Sequence, residues 1–122
     1  MKSTIIFLLL LFPGYCIADN WTREDTQREL AFQVVALIDW GQTLDISRSC
    51  NTDRYFTEIN PILGECPSRG DVNTYFPIVM GIHAGVSYAL PPKYRKYWQN
   101  VTFSIQATNV ARNYSLGIKF DF

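Results

Sequence analysis

The feature that most limits how this sequence can fold is a long stretch without formal charge. Residues 72–92 contain no Asp, Glu, Lys or Arg. Residues able to cap a helix stand at its start, and Pro91 with Pro92 ends it. An uncharged stretch of this length favours burial in a helical core or contact with lipid over exposure to water. The sequence therefore predicts a helix over residues 71–90.

Two parts of the chain keep a strand interpretation open beside the helical one. Within 78–88, apolar side chains alternate with small or polar ones, as in a half-buried strand. Residues 97–113 are also ambiguous, because 101–108 alternate in the same way. As a helix, this segment instead carries one polar face, formed by Thr102, Gln106, Asn109 and Asn113. Both interpretations therefore remain open.

A further helix is predicted over residues 29–47. Its apolar residues recur at spacings of three and four, which places on one helical face Leu30, Val34, Leu37, Ile38, Gly41 and Leu44. A polar cluster on a neighbouring face consists of Asp39, Gln42 and Thr43. In the polar lead-in, Thr22 and Asp25 have the spacing of a first helical turn, where side-chain oxygens accept from free N–H groups.

The amino terminus has the layout of a secretory signal peptide. Lys2 gives a short positive start, an unbroken apolar run follows over 5–12, and small residues precede a cut after Ala18. The apolar run is too short to span a hydrocarbon core of ~30 Å. We therefore predict a signal peptide over 1–18, export, and one domain over 19–122 that is periplasmic or associated with a membrane.

Cysteine content predicts one disulfide. Cleavage of the signal peptide would remove Cys16 and leave Cys50 and Cys66. An even number of cysteines in an exported protein favours a disulfide, here closing a loop of about 15 residues that contributes roughly 3 kcal/mol. The bridge would pin residues 48–70, whose prolines and glycines predict a loop.

The carboxy-terminal part of the chain predicts a basic turn at 93–96 and a short extended tail. Apolar and polar side chains alternate over 114–122. An alternating end on Phe122, with 102–108 as its neighbour, also resembles the last hairpin of a small outer-membrane β-barrel, which is an alternative function. The helical pattern of 29–47 argues against that alternative.

Several short motifs follow one another in the chain. They are D-W-G-Q-T from Asp39, E-I-N-P-I-L-G from Glu58, the single His83, and N-Y-S-L-G from Asn113. This order resembles an uncharacterised family of small envelope proteins of bacteria and phages that carry signal peptides. The resemblance covers about residues 32–122 and implies a mainly helical fold, but it implies no activity.

Charge and hydropathy restrict the partners. Eleven basic and eleven acidic residues give a formal net charge of zero without a basic stripe, so we expect no nucleic acid partner. The uncharged stretch is as long as a spanning segment and is followed by basic residues, which predicts membrane association. A ridge of small residues lets another helix approach closely, so an envelope protein or a second copy is expected to dock at Gly81, Gly85 and Ala89.

Asp39 is the most informative candidate for a site, since a carboxylate between Ile38 and Trp40 is expected to be half buried and to need partners. His83, Arg112 and the polar face 106–109 are the partners that the sequence offers. A proton relay or ligand site competes here with a buried network that fixes helix register. The full candidate polar cluster is Asp39, Gln42, Thr43, Glu58, Asn60, His83 and Asn109.

Catalysis would require His83 to act as a base oriented by Asp39 or Glu58, which is a hydrolase alternative. The sequence has no nucleophile-elbow or phosphate-loop motif, and a single histidine without a second ligand at helical spacing predicts no metal site and no cofactor. Glu58 and Asn60 are expected to hold the loop by hydrogen bonds. We therefore predict a mainly α protein of about three packed helices with a pinned loop and a short extended tail. Its predicted role is a non-enzymatic accessory or interaction protein of the bacterial cell envelope.

Overall fold

The structure is a computed structural model that describes residues 20–50 and 58–122. In these ranges it contains three helices, α1 (Arg23–Ser49), α2 (Arg69–Ala89) and α3 (Pro92–Ser115). The predicted mainly α fold and the Cys50–Cys66 disulfide, with its Cα atoms 5.8 Å apart, are confirmed. The predicted signal peptide lies outside the described residues.

The helices are longer than predicted, and the two strand interpretations are wrong. Both 78–88 and 101–108 are helical throughout. Pro92 is the first residue of α3. Proline suits this position because its fixed φ is helical and because an N–H at the first position would have no hydrogen-bond acceptor within the helix. For this reason 93–96 form the first turn of α3 instead of the predicted basic turn.

Side chains cap the first two helices. At α1, Thr22 Oγ1 accepts from the N–H of Asp25 at 3.2 Å, and Asp25 Oδ2 accepts from the N–H of Thr22 at 2.9 Å. This reciprocal capping box is the arrangement that the Thr22–Asp25 spacing predicted. At α2 the cap is Ser68, whose hydroxyl accepts from the N–H of Asp71 at 3.1 Å. The second helix therefore begins two residues before the predicted start.

Helix α1 lies parallel to α3 and antiparallel to α2. Toward α3, Arg28 Nε donates to Gln99 Oε1 at 3.0 Å, and further along Gln42 Nε2 donates to the Val110 carbonyl at 3.2 Å. Toward α2 the order reverses, since Gln33 contacts the carbonyl of Met80 while Trp40 contacts Asn73. All three helices thus place side chains in one shared interior.

The tail packs along the second half of α1. Ile118 is buried, the N–H of Lys119 donates to Asp45 Oδ2 at 2.8 Å, and that of Asp121 donates to the Gly41 carbonyl at 3.1 Å. A Cβ on Gly41 would lie 2.5 Å from the Phe122 ring and 2.6 Å from the Phe120 ring, so both rings would have to shift to admit one. The predicted extended tail is present, but it begins at residue 118 because α3 continues to Ser115.

The distribution of polar and apolar side chains is the unusual feature of this bundle. An amphipathic helix normally buries its apolar stripe. In α1, however, Leu30 and Val34 are 59% and 55% exposed, whereas Asp25 and Glu29 are buried. A small apolar core remains at Leu44, Val72 and Phe76. In the two described ranges, none of the helices combines the length and apolarity that crossing a bilayer requires.

Candidate functional site

One buried group of polar residues occupies the end of the bundle where α1 begins. We call this group the amino-terminal network; its members are Asp25, Arg28, Glu29, His83, Ser87, Arg95, Gln99 and Thr102. Glu29 lies at its centre: Oε1 is 2.9 Å from His83 Nδ1, and Oε2 accepts from the hydroxyl of Ser87 at 2.7 Å. His83 Nε2 is 2.7 Å from Thr102 Oγ1. The single histidine is therefore held from α1 and α3 at once.

Arg95 closes the network at the junction of α2 and α3. Its side chain is 0% exposed; Nη1 donates to Asp25 Oδ2 at 3.0 Å and Nε donates to the carbonyl of Ser87 at 2.7 Å. Arg28 forms a second ion pair with Asp25. Within the described ranges, every buried side-chain nitrogen and oxygen has a hydrogen-bond partner. The buried charges are thus matched, as a low-dielectric interior requires.

These partners lower the pKa of both carboxylates in the network. Burial alone would raise the pKa of Glu29, but hydrogen bonds from His83, Gln33, Ser87 and Gln99 lower it to about 2. At Asp25, the backbone N–H of Thr22 and the guanidinium groups of Arg95 and Arg28 outweigh burial and hold its pKa below the ordinary value. Both groups are therefore ionised at neutral pH.

A second polar site lies further along the bundle. There α1, α2, α3 and the loop after residue 57 surround a cavity of about 310 Å³, which we call the acid cavity. Its charged lining consists of Asp39 from α1 and Glu58 from the loop. Phe32, Phe76 and Tyr75 supply aromatic walls. Two carboxylates thus share one aromatic-walled space.

Neutral groups hold both carboxylates of the acid cavity. Asp39 accepts from the side-chain amides of Gln106 and, at 3.3 Å, Asn113. Glu58 accepts from the Thr43 hydroxyl at 3.2 Å and from the N–H groups of Ile59 and Asn60. Burial raises the pKa of Asp39 to about 6; the amide of Gln106 opposes this shift, and the negative charge of Glu58 adds to it.

The structure brings most of the predicted cluster together, with one exception. Asp39, Glu58, Asn60 and Asn109 line the acid cavity. Thr43 bonds to Glu58, and Gln42 reaches the same group through Asn113. Asn60 also donates to the Tyr75 hydroxyl at 2.7 Å, so its predicted role in holding the loop has a structural counterpart.

His83 is the exception. Its ring nitrogens face Glu29 and Thr102, not Asp39 or Glu58, and it does not line the acid cavity. Thr102 Oγ1 in turn lies 2.6 Å from the carbonyl of Trp98, which gives its proton an acceptor other than the imidazole. The predicted hydrolase site required Asp39 or Glu58 to orient His83 as a base. The structure does not assemble that pair, because Glu29 and Thr102 hold the imidazole.

Several residues of the two sites were not recognised from the sequence, namely Arg28, Glu29, Ser87, Arg95, Gln99 and, as a partner of Asp39, Asn113. Arg95 and Gln99 precede Thr102 by helical spacings and extend the polar face of α3 toward its start. That extended spacing was the available signal. Across the described ranges, no group of three or more His, Cys, Asp or Glu side chains could hold a metal ion.

Comparison with known proteins assigns no family to these sites. Family models, curated proteins and solved structures give no match to this chain. The resemblance to small envelope proteins therefore stays a prediction.

Proposed function

We propose that this protein is a non-enzymatic accessory protein of the cell envelope that docks on a membrane surface through one apolar face. The docking face is formed by α2 and α3. Its centre consists of Ile78, Ile82, Val101 and Ile105, and its edge of Lys93, Tyr94, Lys96 and Tyr97. The observation that carries the proposal is the exposure of these apolar side chains while the bundle buries charged ones such as Asp25, Glu29 and Arg95.

The centre of the docking face is apolar and exposed on both helices. Ile82 and Ile105 are 59% and 58% exposed, and they border the same shallow cavity of about 210 Å³ between α2 and α3. Ile78 and Val101 are 55% and 56% exposed. Apolar side chains that gather on one face of a protein mark a surface for a partner or a lipid. Ile82 and Ile105 share a cavity, and Ile78 and Val101 lie one helical turn from them along α2 and α3, which supports one continuous face.

The charges around this face favour a lipid headgroup region over a protein surface of mixed charge. Residues 72–92 and 97–111 contain no charged side chain. Where the two helices meet, Lys93 and Lys96 are exposed beside Tyr94 and Tyr97. Aromatic and basic residues at the edge of an apolar surface suit the membrane interface, where each lysine adds about 1 kcal/mol toward anionic lipid. Arg95 is not part of this edge, because it is buried.

The interior supports a non-enzymatic role. The single histidine and the buried carboxylates of the amino-terminal network are engaged with one another across three helices. Such fully paired groups fix the relative position of the helices. The network can therefore keep α2 and α3 side by side and present the docking face as a rigid surface.

Vesicle flotation of the purified protein tests the proposal. We expect anionic phosphatidylglycerol vesicles to bind the protein roughly thirtyfold more tightly than phosphatidylcholine vesicles, because of the two lysines. Ile82→Asp should abolish flotation, since it places a charge at the centre of the face. Leu30→Asp is the matched control, because Leu30 is also 59% exposed but lies on α1.

Two outcomes would overturn the proposal. Equal loss of flotation in both variants would show that the docking face has no special role. A dimer in sedimentation equilibrium without vesicle binding, disrupted by Gly85→Leu, would assign the face to a second copy. That result is the alternative suggested by Gly81, Gly85 and Ala89, since a Cβ at either glycine meets nothing within 4 Å.

A further inference from the structure

Among the described residues, the acid cavity is lined by two carboxylates, those of Asp39 and Glu58, and by no basic side chain. No salt bridge in the described ranges involves Asp39 or Glu58, and their hydrogen-bond donors are amides, one hydroxyl and backbone N–H groups. In the amino-terminal network, by contrast, each carboxylate faces a guanidinium or an imidazole. Two carboxylates in one partly enclosed space repel each other, and a cation between them would relieve both.

The remaining walls of the cavity select the kind of cation. Phe32, Phe76 and Tyr75 contribute aromatic surface, and Leu63, Val79 and Ile105 contribute aliphatic surface. Aromatic faces attract cations, and apolar walls favour a ligand with an apolar body. A volume of about 310 Å³ falls at the lower end of the range for small-molecule sites.

We propose that the acid cavity binds a small organic monocation, namely a protonated primary amine carried by an apolar or aromatic body. The ammonium group lies between the carboxylates of Asp39 and Glu58, and its body lies against Phe32 and Phe76. A divalent metal fits less well, because Ca²⁺ and Mg²⁺ require about six or more oxygen ligands in a defined geometry. The cavity adjoins the docking face at Ile105, but its two carboxylates, Asp39 and Glu58, lie outside that face, so the inference does not depend on membrane binding.

The amide side chains of α3 hold the carboxylate of Asp39 in a fixed orientation. Gln106 and Asn113 donate to Asp39, and Asn113 donates also to Gln42 Oε1 at 3.2 Å. These donors orient the carboxylate but do not neutralise its charge. A bound ammonium group can therefore add a charge-assisted hydrogen bond to a carboxylate that is already in position.

Binding should depend on pH because a cation favours the ionised form of Asp39. The titratable groups that face Asp39 are Glu58 from the loop and Tyr75 from α2, while α3 contributes Gln106, Asn109 and Asn113, which do not titrate. Burial and Glu58 raise the pKa of Asp39 to about 6. Amine binding should therefore weaken as the pH falls from about 7.5 to about 5.

Isothermal titration calorimetry with matched probes tests the inference. The probes are 2-phenylethylammonium, the neutral 2-phenylethanol, and Ca²⁺ alone. We expect the ammonium probe to bind roughly tenfold or more tightly than the alcohol, and Asp39→Asn and Glu58→Gln each to remove most of that difference. Glu24→Gln is the control, because it removes one acidic charge from an exposed position on α1.

Each other outcome counts against the inference. Equal binding of amine and alcohol would show an apolar pocket without cation selectivity, and absence of amine binding would remove the site. Tighter binding of Ca²⁺, with displacement of the amine, would reassign the cavity to a metal. Equal weakening by Glu24→Gln would show a general charge effect. Because none of these measurements uses lipid, failure here is distinguishable from failure of the membrane proposal.

Discussion

The amino-terminal network buries Glu29 of α1 and the acid cavity half-buries Asp39 of the same helix, with opposite electrostatic results. In the network, Glu29 is surrounded by His83, Ser87, Gln33 and Gln99, and its pKa falls to about 2. In the cavity, Asp39 has amide donors and a second carboxylate nearby, and its pKa rises to about 6. The two residues are less than three helical turns apart, so the difference comes from their neighbours and not from the helix itself.

The comparison shows how burial of the same chemical group can stabilise a fold or leave it open to a ligand. A buried carboxylate that accepts enough hydrogen bonds, or that pairs with a positive charge, becomes part of the fold. A buried carboxylate with neutral donors and an acidic neighbour stores unfavourable energy that an added cation can release. The network therefore suits a structural role and the cavity a binding role.

The largest expected effect comes from breaking the charge balance of the network. Arg95→Leu would leave Asp25 buried with one fewer cation and would remove donors to the carbonyls of Ser87 and Leu90. Loss of one partner from a buried ion pair costs about 3–5 kcal/mol. Urea unfolding at neutral pH should show this loss, whereas the exposed neighbour variant Lys96→Leu should change stability by roughly 0.5 kcal/mol or less. Equal effects in the two variants would mean that the network does not hold the helices together.

The next effect concerns acid stability. Because the pKa of Glu29 is lowered from 4.5 to about 2, its contribution is complete above pH 4.5 and is lost as the pH falls toward 2. The shift corresponds to about 3 kcal/mol. Glu29→Gln should therefore unfold more easily than the parent protein at neutral pH, and the two should converge near pH 2 in denaturant titrations. A difference that stays constant with pH would contradict a role for the Glu29 charge.

The smallest effect has the opposite sign. The folded pKa of Asp39 is raised from 3.8 to about 6, so folding favours its protonated form, and this favourable contribution is lost as the pH rises through 6. Asp39→Asn should stabilise the protein by about 2 kcal/mol near pH 8 and have no effect near pH 4, after allowance for partial solvent exposure. Thermal unfolding at the two pH values measures this. Destabilisation at both would show that Asp39 is a structural anchor, and the contrast between the two sites would be lost.

Local signals predicted the helices well because they depend on neighbours in sequence. The Thr22–Asp25 capping box starts α1, and Pro91 with Pro92 separates α2 from α3. The alternation of 101–108 was misleading for a physical reason. In that segment Thr102 and Gln106, four residues apart, meet His83 and Asp39 in the interior, and Val101 and Ile105 remain on the surface.

The candidate site was only partly predictable. The spacing of Thr102, Gln106, Asn109 and Asn113 placed a polar face on α3, and contacts to Asp39 confirm its orientation. The pairing of His83 with Glu29 was not predicted, since the apolar stripe of Leu30 and Val34 suggested the buried side of α1. That stripe is exposed, and Glu29 faces the interior.

The sequence by itself determined a mainly helical fold, the Thr22–Asp25 cap of α1, and the pairing of Cys50 with Cys66 across a loop. The cap follows from side chains a few residues apart. The disulfide was expected because the predicted cleavage would leave an even number of cysteines. Only the tertiary structure decided which face of each helix is buried and which hydrogen-bond partners surround each carboxylate. Glu29 and Asp39 are both carboxylates of α1, and their pKa values move apart because of their neighbours. Hydrogen bonds from His83, Gln33, Ser87 and Gln99 outweigh burial at Glu29, whereas burial and the negative charge of Glu58 prevail at Asp39.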